Sequence, residues 1–304
     1  MDIFDLKECR LCPRNCGANR TEGKKGFCGE SNIIRVARAS LHQWEEPCLS
    51  GDCGSGTVFF SGCNMGCVFC QNSQISHGGA GVEVSAERLC EIFFELEEKG
   101  AHNINLVTAG HFLPQVLQSV QMAKLQNIGI PFVYNSSAYE QVDAIKRCEG
   151  LIDIYLPDFK YMDSFLAKKY SNASDYPQVA KAAIGEMVRQ CPKCEFDSDG
   201  MMSRGVIVRH MLLPDEIRDS KKILKYLYET YGDNIYISIM SQYTPVGNLE
   251  DFPELQKTVR KSDYEKLIGY AVDMGVENAF IQEGSAASES FIPDFSGQGI
   301  IKEW

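Results

Sequence analysis

The run Cys63-Asn64-Met65-Gly66-Cys67-Val68-Phe69-Cys70 decides how this chain is read. It follows the apolar stretch Thr57-Val58-Phe59-Phe60-Ser61-Gly62, which reads as a buried strand ending in a turn. Three thiols at CxxxCxxC spacing, with Gly62 and Gly66 to let the backbone bend, suit a 4Fe–4S cluster in which each cysteine takes one iron. The fourth iron then has no protein ligand and is open to a substrate or cofactor. A zinc knuckle or a trio of buried thiols is the plainer alternative.

Working outward, short apolar stretches alternate with helical patterns. Buried parallel strands are expected at 57–60, 104–107, 131–134, 152–156, 206–208, 235–239 and 277–281. Ser85 is placed to cap a helix running to Glu98, with Leu89, Ile92, Phe93 and Leu96 on one face and Gly100 as its stop. Further helices are expected at 114–125, 139–148, 176–189, 217–231 and 262–274. Connections too long for hairpins imply right-handed βαβ units, a parallel sheet, and ligands at the strands' C-terminal ends. Six or seven such units make an incomplete α/β barrel.

The first fifty or so residues are rich in Cys, Gly and Arg and lack periodicity, so they read as a loop-dominated cap that needs a metal to hold it. The expected division is a cap at 1–52 and a barrel at 53–304, with the tail from Gly284 wrapping the barrel or closing its mouth. Cys9-x2-Cys12-Pro13-x2-Cys16, followed by Cys28, supplies four thiols that suit tetrahedral zinc, a rubredoxin-like iron or an auxiliary iron–sulfur cluster. Zinc is the first expectation, and Cys48 and Cys53 are alternative members of the set. Cys191-Pro192-Lys193-Cys194 reads as half a metal site, a redox pair or a chance surface pair. Cys90 and Cys148 fall on helical faces as core thiols.

At 304 residues and 44% hydrophobic content the chain suits one large α/β domain with a small extra module. It has no run of about 18 or more apolar residues, and its first eight residues lack the features of a secretory signal, so no membrane span and a cytoplasmic location are expected. Its 13 cysteines then read as metal ligands and free thiols, not as a disulfide framework. A formal net charge of -11 excludes a generic nucleic-acid surface. Residues 1–38 run against this balance, with basic residues in excess, and read as a docking face for an acidic partner or a solvated surface.

The cysteine spacing, with aromatic Phe69 before the third cysteine, resembles the signature of the radical S-adenosylmethionine (radical SAM) superfamily. Leu41-His42-Gln43-Trp44-Glu45-Glu46-Pro47, Gly54-Ser55-Gly56-Thr57, Cys70-Gln71-Asn72, Asn103-Ile104-Asn105-Leu106-Val107-Thr108 and Ile152-Asp153-Ile154-Tyr155-Leu156-Pro157-Asp158-Phe159-Lys160 resemble pyruvate formate-lyase activating enzyme-like proteins of the PflX type. So do Arg204-Gly205-Val206-Ile207-Val208-Arg209-His210 and Ser241-Gln242-Tyr243-Thr244-Pro245. The resemblance implies a partial (β/α)6 barrel, with a 4Fe–4S cluster on Cys63, Cys67 and Cys70 and S-adenosylmethionine at the open iron. One electron would cleave the sulfonium to a 5′-deoxyadenosyl radical that abstracts hydrogen from a substrate. It also implies an electron donor such as flavodoxin or ferredoxin, and a partner enzyme activated on a glycine. A small metabolite or peptide substrate, or a cluster protein that only carries electrons, are the other readings.

The family has a Gly-Gly-Glu-like turn after its second strand, where backbone carbonyls hold the methionine amino group. Here the stretch is Thr108-Ala109-Gly110-His111, so Thr108 and Gly110 are the expected contacts, and His111 is read as a surface or capping residue or as a functional one. The resemblance places the Asp158-x-Lys160 pair near the methionine and ribose. Strand-end position adds Asn135 and Ser137, Arg209 and His210, and Gln242. Of these, Asn135, Asp158, Lys160 and Arg209 are the expected cofactor contacts, while Asp153, inside a strand, is expected to be structural.

Overall fold

The computed structural model describes residues 2–77, 79–282 and 295–301. Strand β1 (Ile34–His42) pairs antiparallel with β2 (Ser55–Phe60) and, at its start, with β3 (Val82–Val84). From β2 the sheet continues in parallel through β4 (Ile104–Val107), β5 (Phe132–Ser136) and β6 (Ile154–Pro157). The short β7 (Glu195–Phe196) is an antiparallel partner of β8 (Met202–Met211), which joins β6 in parallel and leads to β9 (Tyr236–Met240) and β10 (Ala279–Ile281). Among the described residues the sheet is open, with β10 and β3 at its two edges.

Helices fill the crossovers. Two short ones, α1 (Pro47–Ser50) and α2 (Ser73–Ser76), flank β2; α3 (Ala86–Glu98) precedes β4, and α4 (Leu113–Leu125) follows it. Then come α5 (Val142–Lys146), α6 (Ser164–Ser171), α7 (Tyr176–Gln190), α8 (Ile217–Tyr231) and α9 (Lys261–Asp273). The expected cap on α3 is present, with Ser85 Oγ accepting from the Arg88 amide at 3.2 Å.

Alternation along the parallel strands sorts their side chains onto two faces. Phe132, Tyr134, Tyr155, Val206 and Val208 join the core beneath the helices. Val133, Ile154, Leu156 and Ile207 face the other way and close on Cys48 and Leu49 of α1. Thus α1 is an apolar plug in the concave face, and Asn103 Nδ2 fixes it by donating to the Leu49 carbonyl at 2.8 Å. The plug also brings Glu45 and Glu46, just before it in sequence, into the interior.

The parallel strands match expectation closely, and the differences lie at the ends of the chain and in one central helix. The stretch 1–52, expected as a loop-dominated cap, contains β1, whose buried Ile34, Val36, Ala37 and Ala39 cover an edge that β2 would otherwise expose. The expected helix at 139–148 shrinks to α5, because the chain turns at left-handed Ala138 (φ 58°) and is still extended at Gln141 (φ -71°, ψ 135°), so helix begins only at Val142. Most of the tail from Gly284 lies outside the described residues. Of its described part, Gln298 accepts from the Ala39 amide at 2.9 Å, and the Phe295 ring packs edge-on against Phe59. Among the described residues no helix is long and apolar enough to cross a membrane.

Candidate active site

The loop after β2 turns at two left-handed glycines, Gly62 (φ 81°) and Gly66 (φ 70°). At Gly62 a side chain is excluded outright, since a Cβ there would lie 2.6 Å from the Cys28 carbonyl oxygen and 2.5 Å from Glu30 Cγ. Each sulfur of the loop accepts one hydrogen bond: Cys63 from the Met65 amide at 3.4 Å, Cys67 from Ser171 Oγ at 3.1 Å and Cys70 from Ser76 Oγ at 3.4 Å. Phe69 sets the loop into an aromatic wall, edge-on to Tyr243, Tyr170 and Tyr161 at 5.9, 6.3 and 6.4 Å.

Burial, reinforced by the neighbouring Cys70 and Cys67, pushes the Cys63 thiol up to about 12, and burial also raises Cys67. Such thiols ionise when a cationic group takes them as ligands. Hydrogen bonds donated to each sulfur suit cluster-bound thiolates, whose potential they tune. The residues present therefore fit an iron–sulfur cluster.

Cys67 and Cys70 open onto a cavity of about 230 Å³ that is also lined by Asn135, Asp158, Lys160 and Arg209. Arg209 is the hub of that cavity. Its Nε donates to Asp158 Oδ1 at 2.9 Å, its Nη2 to Asn135 Oδ1 at 2.7 Å, and its Nη1 to Glu45 Oε2 at 3.0 Å. The second Asp158 oxygen takes Lys160 Nζ at 2.7 Å. Burial opposes the Asp158 charge, but Arg209 and Lys160 outweigh it and hold the carboxyl below its usual range. Lys160 is held above its usual range because Asp158 outweighs its desolvation. The result is a fixed array of donors and acceptors beside two of the loop thiols, suited to a polar ligand that both donates and accepts hydrogen bonds.

Four expected contacts are thus brought together, and two are not: Thr108 and Gly110 lie outside the cavity lining. Gly110 packs instead against Glu140, whose carboxylate oxygens would sit 2.5 and 2.7 Å from a Cβ at this position. His111 is neither a surface nor a capping residue. It is 2% exposed, and its Nε2 lies 2.6 Å from the Ser61 carbonyl oxygen, which ties the β4 turn to the start of the thiol loop. Burial pushes its pKa down to about 3. His210 is also buried, between the Phe159 carbonyl and Ser220 Oγ, while Gln242 does line the cavity. Asp153 is structural as expected, pairing with Lys124 and accepting from the Phe132 amide.

Sequence reasoning assigned no role to Glu45. It follows β1, an antiparallel strand inside the stretch read as a loop-dominated cap, so the strand-end rule for the parallel strands passes over it. The adjacent acids Glu45-Glu46 beside Trp44 and Pro47 were the available signal. Asn105 Nδ2 holds the other Glu45 oxygen at 3.0 Å. Burial raises both Glu45 and Glu46, against the pull of Arg209.

In the cap, Cys28 lies within electrostatic range of Cys9 and Cys16, and Cys12 of Cys28 and Cys9; none is in a disulfide. The buried guanidinium of Arg20 reaches Cys9 Sγ at 3.8 Å. Among the described residues no three His, Cys, Asp or Glu side chains are already gathered as ligands of a single ion. Cys191 is buried and Cys194 half-buried; their sulfurs lie near the carbonyls of Asp153 and Val206, so they are not a surface pair. Cys90 and Cys148 are buried core thiols, as expected.

Residues 57–227, more than half of the chain, match the radical SAM superfamily. An uncharacterized protein of Methanocaldococcus jannaschii is 26% identical over 274 residues, spanning 88% of this chain and 75% of that one. Among solved structures, methylornithine synthase (PylB) superposes with a TM-score of 0.51 at 15% identity, over 74% of this chain and 63% of that one. This likeness speaks for the fold alone. Streptococcus suis SuiB, bound to the precursor peptide SuiA, gives a TM-score of 0.47 at 11% identity over 73% of this chain. The match covers 46% of SuiB, so the chain spans about half of that protein's length. With more than half of its length matched, the chain belongs to the radical SAM superfamily, and a 4Fe–4S cluster and S-adenosylmethionine are the cofactors that membership implies.

Proposed function

We propose that this radical SAM protein is an activating enzyme, which abstracts hydrogen from a glycine of a partner enzyme. The observation that carries the site assignment is the shared cavity of Cys67, Cys70, Asn135, Asp158, Lys160 and Arg209. The activating-enzyme assignment rests on the sequence resemblance, including the Asp158-x-Lys160 pair. Cys63, Cys67 and Cys70 hold the cluster, and the Arg209 hub with Lys160 holds S-adenosylmethionine. When bound and reduced, these cofactors supply a 5′-deoxyadenosyl radical.

The chain's own residues orient and protect that chemistry. Asp158, pinned by two cations, presents its oxygens in one fixed geometry, and Lys160 keeps its proton because Asp158 is beside it. The aromatic wall around Phe69 excludes water from the back of the loop. Trp44, 64% exposed and lining the cavity beside His42, gives the mouth an apolar surface on which a protein segment can rest.

In this reading the electron donor is a flavodoxin or ferredoxin, the protein works in the cytoplasm, and the cap thiols Cys9, Cys12, Cys16 and Cys28 hold a second metal, zinc before iron. The test is anaerobic incubation of reconstituted protein with S-adenosylmethionine, reductant and pyruvate formate-lyase, observed by electron paramagnetic resonance. A glycyl-radical doublet in the partner supports the activating-enzyme assignment. Cofactor cleavage without that doublet removes it for this partner and leaves the radical chemistry standing.

A further inference from the structure

Arg14 lies between Cys12 and Cys16 in the cap, yet its guanidinium is spent on two segments far away in sequence. Nε donates to the Asn64 carbonyl at 2.8 Å and Nη2 to the Met65 carbonyl at 2.7 Å, both between the first two loop cysteines. Nη2 also donates to the Ser171 carbonyl at 2.9 Å, and Nη1 to the Asn172 carbonyl at 2.5 Å, at the end of α6. The guanidinium carbon lies 4.0 Å from the Phe27 ring centroid and 5.0 Å from that of Tyr139.

Several features make this more than general adhesion. The last carbonyls of a helix have no intrahelical partner, and Arg14 satisfies one on each side of the α6 terminus. The same helix end supplies Ser171 Oγ to Cys67 Sγ. The stretch from Cys63 to Asn72 is neither helix nor strand, and ordering such backbone costs roughly 1–2 kcal/mol per residue. Two of its backbone amides tie to the same neighbours, Cys63 to the Cys28 carbonyl at 3.3 Å and Val68 to the Tyr170 carbonyl at 2.9 Å, while the Asn64 and Gln71 side chains reach the Tyr139 and Gln242 carbonyls. A planar fork with five donors can span four carbonyls at once, which an ammonium cannot.

We propose that Arg14 is a positioning residue that holds the Cys63–Cys67 arm in ligand geometry before the cluster arrives, coupling the cap's thiol turn to the cluster loop. The proposal rests on the assignment of Cys63, Cys67 and Cys70 as cluster ligands, and its test is arranged so that the two can fail separately. Amide hydrogen exchange is measured on the 304-residue protein without iron, for wild type, Arg14→Ala, Arg14→Lys and the control Arg10→Ala, whose side chain, among the described residues, pairs with half-buried Glu8.

For Arg14→Ala, exchange at the Cys63 and Val68 amides is expected to rise roughly tenfold while α8 amides stay as in wild type; Arg14→Lys falls between, and Arg10→Ala matches wild type. After reconstitution, iron loss from Arg14→Ala to a chelator is expected to be roughly tenfold faster than from wild type. Unchanged exchange at residues 62–70 overturns the proposal. So does an equal rise across α8, which marks a purely structural loss. Should the wild type itself take up no iron, the ligand assignment fails, while the exchange data still decide whether Arg14 orders the loop.

Discussion

Glu45 Oε2 lies 3.0 Å from Arg209 Nη1, although 164 residues separate the two in sequence. One arrives on the α1 plug from the β1 side and the other on β8, and their pairing places a carboxylate behind the guanidinium that faces Asp158 and Asn135. The segment that enters the plug therefore borders the candidate site as well as the core.

Glu45→Gln keeps the side chain's shape and removes its charge. Anaerobic calorimetry on reconstituted protein is expected to show S-adenosylmethionine binding roughly tenfold weaker, about 1.4 kcal/mol, as Arg209 loses one charged acceptor. Glu45→Ala leaves the guanidinium short of a buried partner and is expected to destabilise the fold by about 3 kcal/mol in denaturant titration. Wild-type affinity in Glu45→Gln would show that the pair serves packing alone.

Glu140 is 1% exposed, and burial pushes its carboxyl up to about 8, with one oxygen lacking a hydrogen-bond partner. In the unfolded chain the group ionises near its ordinary value, so between about pH 4.5 and 8 the folded state holds the extra proton. Stability from this group is fully present below that ordinary value and is lost as pH rises through 8. Glu140→Gln is expected to melt progressively higher than wild type between pH 5 and 8, with a gap worth a few kcal/mol at the alkaline end. Parallel melting curves across that range would rule out the raised pKa.

Gly110→Ala places a methyl against the Glu140 carboxylate and is expected to cost roughly 1–3 kcal/mol. Adding Glu140→Ala removes the clash, so the double variant is expected to be more stable than the sum of the two single effects. Additive effects would mean that the turn accommodates the methyl without touching Glu140.

Ser171 Oγ donates to Cys67 Sγ and also meets the Tyr161 hydroxyl at 2.8 Å. A hydrogen bond to a cluster sulfur stabilises the reduced state, so Ser171→Ala is expected to lower the cluster's midpoint potential in an anaerobic redox titration. An unchanged or raised potential would show that this hydroxyl does not act on the ligand sulfur.

The parallel strands and most of their helices were legible because each is a short apolar or amphipathic segment with a local stop: Ile104–Val107 needs no tertiary context to read as a buried strand. The cysteine loop was legible for the same local reason. Glu45 was not, because its role depends on α1 folding back into the concave face, which is decided by Cys48 and Leu49 meeting Val133 and Ile207 across the sheet. The burial of His111 was not legible because its partner, the Ser61 carbonyl, carries no side-chain signal. The Gly110–Glu140 contact joins turns after two different strands, a relationship that neither spacing nor composition encodes.

The most direct measurement is 5′-deoxyadenosine formation by anaerobically reconstituted, reduced protein given S-adenosylmethionine, beside a Cys67→Ala control. Nucleoside produced by the wild type and absent from the control is the expected result. A fully loaded and reducible wild-type cluster that leaves S-adenosylmethionine intact would contradict the assignment of this cavity as a radical-generating site.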